Sequence, residues 1–211
     1  MHVTFKYDPK KEQFPLQVGM GGQNNPTKTK LALRSIDDEI DYLDQTAVAQ
    51  WVTKIAQDDG LQLENDVERM SKVWQLVEPE ASVRLAQMFA TDWDPGNVTA
   101  FLTLSGRCPY NYPTHFWITH TSKRPIAASL HEIQHFYAHH LIQPLFVKAE
   151  KGNSFNDFKE SLTVLLNDEF MGIMEKDDPG YPQHQDLRRQ ILTRFKAGDL
   201  IETIAKWYLS K

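Results

Sequence analysis

The sequence predicts an α+β fold that is mainly helical, with a helical N-terminal region and a short antiparallel sheet. Three observations predict it. Apolar residues recur at helical spacing through residues 36–93 and again beyond residue 125. Three short stretches, 2–7, 98–104 and 115–119, show instead the alternation or the β-branched and aromatic content of strands. Between the first helical run and the later strands lies Asp92-Trp93-Asp94-Pro95-Gly96-Asn97, a string of turn residues. It sets the expected division: a mainly helical region over 1–95 and a second region over 96–211, either separate or parts of one continuous domain. A chain of 211 residues fits one domain, or one domain with a helical annex.

The elements follow in order. His2-Val3-Thr4-Phe5-Lys6-Tyr7 alternates with period two and reads as a strand. Residues 19–26, Gly19 to Pro26, read as a loop by composition, without the spacing of a phosphate-binding loop. A short helix is expected over 38–43, capped by Ser35 or Asp37. The next covers 47–57, with Val48, Trp51, Val52 and Ile55 on one stripe, and ends before Asp59-Gly60. Residues 63–77 repeat the pattern with Val67, Met70, Val73, Trp74 and Val77. Residues 81–91 form a further helix with Val83, Leu85, Met88 and Phe89 on its apolar side. Strands at 98–104 and 115–119 flank a loop over 106–113 and are expected to pair antiparallel. A helix begins at Pro125, which suits a first turn, and is stopped by Pro144. A linker over 146–152 leads to a helix over 157–174, capped by Ser154 or Asn156. Asp177 to Pro182 is a turn, and 183–196 and 200–209 are closing helices.

The helix that starts at Pro125 carries the chemistry. It contains His131-Glu132-Ile133-Gln134-His135, the pattern His-Glu-x-x-His. Two histidines four residues apart project from one face of a helix, one turn apart, where both imidazoles can reach one zinc ion. Glu132 is then placed to take a proton from a zinc-bound water. Ile126, Leu130, Ile133, Tyr137 and Leu141 recur on the side away from the histidines and are the expected core face.

Composition removes other classes. A net charge of −5 argues against a nucleic-acid binder. No apolar run approaches a membrane span, and the first residues lack the apolar stretch of a secretory signal, so a cytoplasmic location is expected. Cys108 is the single cysteine, which excludes an internal disulfide and reads as an inert thiol.

A catalytic zinc site needs three protein ligands and a water. His139 lies eight residues after His131, a rise of about 12 Å along a straight helix, too far to share one ion with both other histidines. Glu160, 25 residues beyond His135, has room to return onto the first helix. Glu169 is its rival. It lies nine residues further on, half a turn out of phase, so only one of the two can face the site.

The His-Glu-x-x-His pattern with a later helical glutamate resembles the gluzincin class of zinc metallopeptidases. Glu160-Ser161-Leu162-Thr163 is similar to the segment that carries the glutamate ligand in aminopeptidase-like members. The resemblance covers roughly residues 97–175 and points to the small gluzincins. It implies a zincin-like fold and hydrolysis of peptide bonds in a peptide or protein substrate. It also implies Zn2+ held by His131, His135 and Glu160, with Glu132 as general base and acid. Val164 stands where several gluzincins carry an acid that orients a histidine ligand. That partner must come from elsewhere, and Asp157 and Asn167 are the substitutes near Glu160. Gluzincins usually add a tyrosine or histidine donor for the developing oxyanion. Here Tyr181, fixed between Gly180 and Pro182, and His184 follow the glutamate helix. The bland alternative is a turn tyrosine packed on the next helix, with His184 exposed near that helix's start. The strand at 115–119, just before the motif helix, is the expected cleft edge for an extended substrate. The competing reading is an inactive relative that binds or regulates, with or without zinc.

Overall fold

A computed structural model describes residues 1–21 and 44–211. The helix expected over 38–43, its cap and most of the 19–26 loop lie outside the described residues. Residues 19–21 close helix α1, Gln13–Gly21, where a loop was expected to begin. The chain is α+β and divides into two compact units. A sheet unit holds His2–Gln75 and Asn97–Pro125. A helical unit holds Met1, Leu76–Gly96 and Ile126–Lys211. The chain therefore passes between units at 96/97, beside the division read from the turn residues, and again at 75/76 and 125/126.

In the sheet unit, β1 (His2–Tyr7), β2 (Asn97–Thr103), β3 (Tyr110–Asn111) and β4 (His115–Thr119) form a mixed sheet in the order β1-β2-β4-β3. β1 buries Val3 and Phe5 and exposes the residues between, as its alternation predicts. It joins the sheet, so the N-terminal region is not purely helical. β1 and β4 both pair parallel with β2, and only β3 and β4 run antiparallel. This corrects the antiparallel pairing of 98–104 with 115–119. The reversal that such a pair needs is used by the β3–β4 hairpin, so the chain turns twice before β4 and runs with β2. The cleft-edge expectation for His115–Thr119 is corrected as well. β4 lies between β2 and β3, with His115 and Phe116 matched on both sides, and the outer strands are β1 and β3.

Helix α2, Gln45–Asp58, is capped by Asp44, whose carboxylate accepts from the amides of Thr46 at 2.7 Å and Ala47 at 3.2 Å. Its buried Val48, Val52 and Ala56 join Leu16, Leu63 and Leu104 in one apolar cluster. At the end of β2, the buried Glu12 carboxyl accepts from Thr103 Oγ1 at 2.6 Å and the Leu104 amide at 2.8 Å. Helix α3 runs unbroken over Leu63–Met88, where two helices were expected, with Pro79 inside it. A proline removes one helical N–H bond. Buried residues nevertheless keep helical spacing on both sides of it, as Met70, Trp74, Ala81, Leu85 and Met88 show. Val83 is 55% exposed and is not part of that buried stripe.

In the helical unit, the motif helix α4 spans Pro125–Leu141. Its first amides are satisfied by Glu175, whose carboxylate oxygens accept from Ile126 at 2.9 Å and Ala127 at 3.1 Å. Tyr137 packs against Phe89 and Trp93, with ring centroids 5.2 and 5.0 Å away. Ile126, Leu130, Ile133 and Tyr137 are buried, and so are Glu132, Gln134 and His135. The chemical face is therefore interior too. Pro144 stops α4 and sits in the first turn of α5, Gln143–Lys148, so much of the expected linker is helical. Phe146 of α5 meets Phe155 and Phe158 at 5.5 and 5.3 Å. The glutamate helix is two helices, α6 (Phe155–Leu162) and α7 (Val164–Glu169), divided at Thr163. Ser154 stands at the start of α6 but makes no side-chain cap, since its hydroxyl donates to Lys151 O. α8 (Gln185–Lys196) and α9 (Ile201–Leu209) complete the unit.

Candidate metal centre

α4 presents His131 and His135 on one side, their ring centroids 4.5 Å apart. Glu160, near the end of α6, meets both. Its Oε2 lies 3.5 Å from His131 Nε2 and its Oε1 lies 3.3 Å from His135 Nε2. One donor atom from each of the three residues falls within 4.8 Å of the others. Donors around a tetrahedral zinc with bonds of roughly 2.0–2.1 Å stand about 3.3–3.4 Å apart. The observed separations are of that size. Glu160 Oε2 is buried without a hydrogen-bond partner, a further mark of a carboxylate that suits a cation. Glu169 does not join the group. It closes α7, and its carbonyl accepts from Arg84. His139 is also outside it, bonded to Gln143 Oε1 at 3.0 Å.

Glu132 is 8% exposed, and its Oε2 has no hydrogen-bond partner. Burial pushes its carboxyl up to about 7, against the lowering pull of His131 and Lys159. The two histidines separate in charge. Burial works against a charged His131, but bonds to the Asp178 and Glu160 carboxylates overcome it and raise its pKa to about 10. Burial and the positive neighbours Lys159 and His131 lower His135 to about 3. Burial opposes ionisation of Glu160, yet His131, His135 and Lys159 hold it far below the usual carboxylate range.

Two residues of this site escaped the sequence reasoning. The first is Asp178, whose Oδ2 lies 2.5 Å from His131 Nδ1. It fills the place assigned to Asp157 or Asn167. Asn167 acts one step back, accepting from the Asp178 amide at 2.7 Å and donating to its carbonyl at 3.0 Å. Asp157 pairs instead with His184 Nε2 at 3.2 Å. An acid in the turn after the glutamate helix was the available signal, since a ligand histidine needs a carboxylate or carbonyl behind it. The second is Lys159, 2% exposed, whose ammonium donates to Glu160. A lysine beside the ligand glutamate in a half-apolar helix was its only trace.

Tyr181 and His184 lie outside the three-donor group. Tyr181 is 48% exposed, three residues past Asp178, with its ring 5.7 Å from that of His184. His184 is buried, where an exposed position was the bland expectation. No family model matches the chain, and neither a curated protein nor a solved structure matches it.

Proposed function

We propose that this chain is a zinc-dependent metallopeptidase of gluzincin type, with a zincin-like arrangement, that hydrolyses peptide bonds in a peptide or protein substrate. The observation that carries the reading is the meeting of His131, His135 and Glu160 beside a buried carboxyl, Glu132, with an oxygen to spare. Two imidazoles and one carboxylate are a donor set that suits zinc and leaves a position for water. Bound there, zinc supplies Lewis acidity toward a water and a carbonyl oxygen. The protein's side chains do the rest. Glu132, poised near neutrality, accepts the proton of the attacking water and returns it to the leaving amine. Asp178 fixes the ring of His131 through Nδ1 and leaves Nε2 toward Glu160. Lys159 keeps Glu160 ionised. Tyr181, on the loop that Asp178 anchors, donates a hydrogen bond to the carbonyl oxygen as charge builds there.

Glu132→Gln is expected to retain zinc and lose hydrolysis of a peptide library. Metal content by mass spectrometry and turnover are read on the same preparation. Turnover in that variant removes Glu132 from the mechanism. A wild type that takes up no zinc and cleaves nothing overturns the whole reading. Tyr181→Phe is expected to lower kcat by roughly ten- to a thousandfold with zinc unchanged. The burial of Glu132 and His135 favours a second reading, a metal-holding protein that binds without hydrolysing. Stoichiometric zinc with no cleavage across the library supports that one instead.

A further inference from the structure

We infer that Arg188 is the positioning residue that ties the two sides of the candidate metal centre together, an inference that rests on the metal reading above. Arg188 projects from α8 and is 3% exposed. Its Nη1 donates to Thr163 Oγ1 at 2.6 Å, and its Nη2 donates to the carbonyl of Asp178 at 2.7 Å. Each partner leads to a different part of the site. The Thr163 hydroxyl donates to the backbone carbonyl of Glu160 at 2.8 Å. The Asp178 carboxylate holds His131 at 2.5 Å. One guanidinium therefore stands two bonds from the helix end that carries Glu160 and one residue from the bond that orients His131.

The surroundings are shaped for that fork. Gly180 has φ +61°, a left-handed conformation that favours glycine, and a Cβ there would lie 2.5 Å from Arg188 Cζ and Nη1. The glycine is required twice, by its backbone and by the side chain above it. The Gly180 amide donates to Asp178 Oδ1 at 2.7 Å, so the same turn that clears the guanidinium also fixes the carboxylate. Asn167 braces Asp178 from α7. A buried charge is kept in place by its hydrogen bonds, and a planar fork reaches two acceptors where an ammonium acts as a point charge. Arg188 thus sets the separation between Glu160 and His131 without touching either.

The test is a Zn2+ titration against a competing chelator on the full chain. Arg188→Gln and Arg188→Lys are both expected to weaken zinc by about ten- to a hundredfold, the scale of losing an outer partner of a ligand. Gly180→Ala, which displaces the guanidinium without changing charge, is expected to do the same. Losses for R188Q and D178N should fail to add, with the double variant within about threefold of D178N alone. Wild-type affinity in R188K, or fully additive losses, overturns the inference. Hydrogen exchange on the metal-free protein provides a readout that needs no zinc. R188K should speed exchange at the amides of Asp178 and Gly180 while the other helices stay protected. Unchanged exchange there, or a rise spread evenly over the chain, counts against it. A wild type that binds no zinc overturns the metal reading, and the exchange result then decides the Arg188 tie separately.

Discussion

His131 and His135 lie one helical turn apart, yet they hold protons very differently. Asp178 and Glu160 give His131 two anionic partners, whereas the positive charge of Lys159 and of His131 bears on His135. Glu160 is the pivot, since its two oxygens face the two rings and its ion pair with Lys159 joins that cation to the site. Glu160→Ala is therefore expected to weaken zinc by at least about tenfold, while Glu169→Ala leaves it in place. Competition with a chelator checks the ranking, and the reverse order would make Glu169 the third ligand.

At the scale of elements, the break at Thr163 matters most. An uninterrupted helix over 157–174 was the natural reading of its periodicity. Instead the Thr163 hydroxyl takes the Glu160 carbonyl, a local bond of the kind that competes with the helical ladder, and α6 ends just past the ligand. In the sheet unit, the end of β2 rests on a buried acid. Burial pushes Glu12 up to about 7, against its bonds to Thr103 and Leu104. Its folded pKa exceeds its unfolded one, so the folded state binds more protons between the two values. Stability is greatest below the unfolded value of 4.5 and falls as pH rises through 7, by up to about 3 kcal/mol. Glu12→Gln keeps an acceptor for Leu104 without that charge. Urea unfolding should show a gain over wild type at pH 8 and little at pH 5. An equal effect at both pH values would rule out this account.

At the scale of the whole molecule, metal binding is folding energy and proton release together. His135 is already neutral at pH 7, but His131 carries a proton that a ligand imidazole must give up. Zinc uptake at pH 7 is expected to release about one proton, and affinity should climb with pH toward 10. Calorimetry in two buffers of different ionisation enthalpy measures the count. Free zinc at about a thousand times Kd should add about 4 kcal/mol to the unfolding free energy. A Glu160→Ala chain should gain far less. No helix among the described residues is long and apolar enough to cross a membrane.

The sequence by itself determined what repeats locally. The spacing of His131 and His135, the strand alternation at His2–Tyr7, the capping residue before α2 and the proline that ends α4 depend only on neighbours a few residues away. Tertiary structure decided what depends on how the chain returns. Parallel pairing of β2 with β4 follows from the direction in which β4 arrives, which no residue within it encodes. The partner of His131 is Asp178, 47 residues on, because the turn after α7 folds back to α4. A carboxylate needs only to arrive at the ring, and periodicity carries no record of which acid does so.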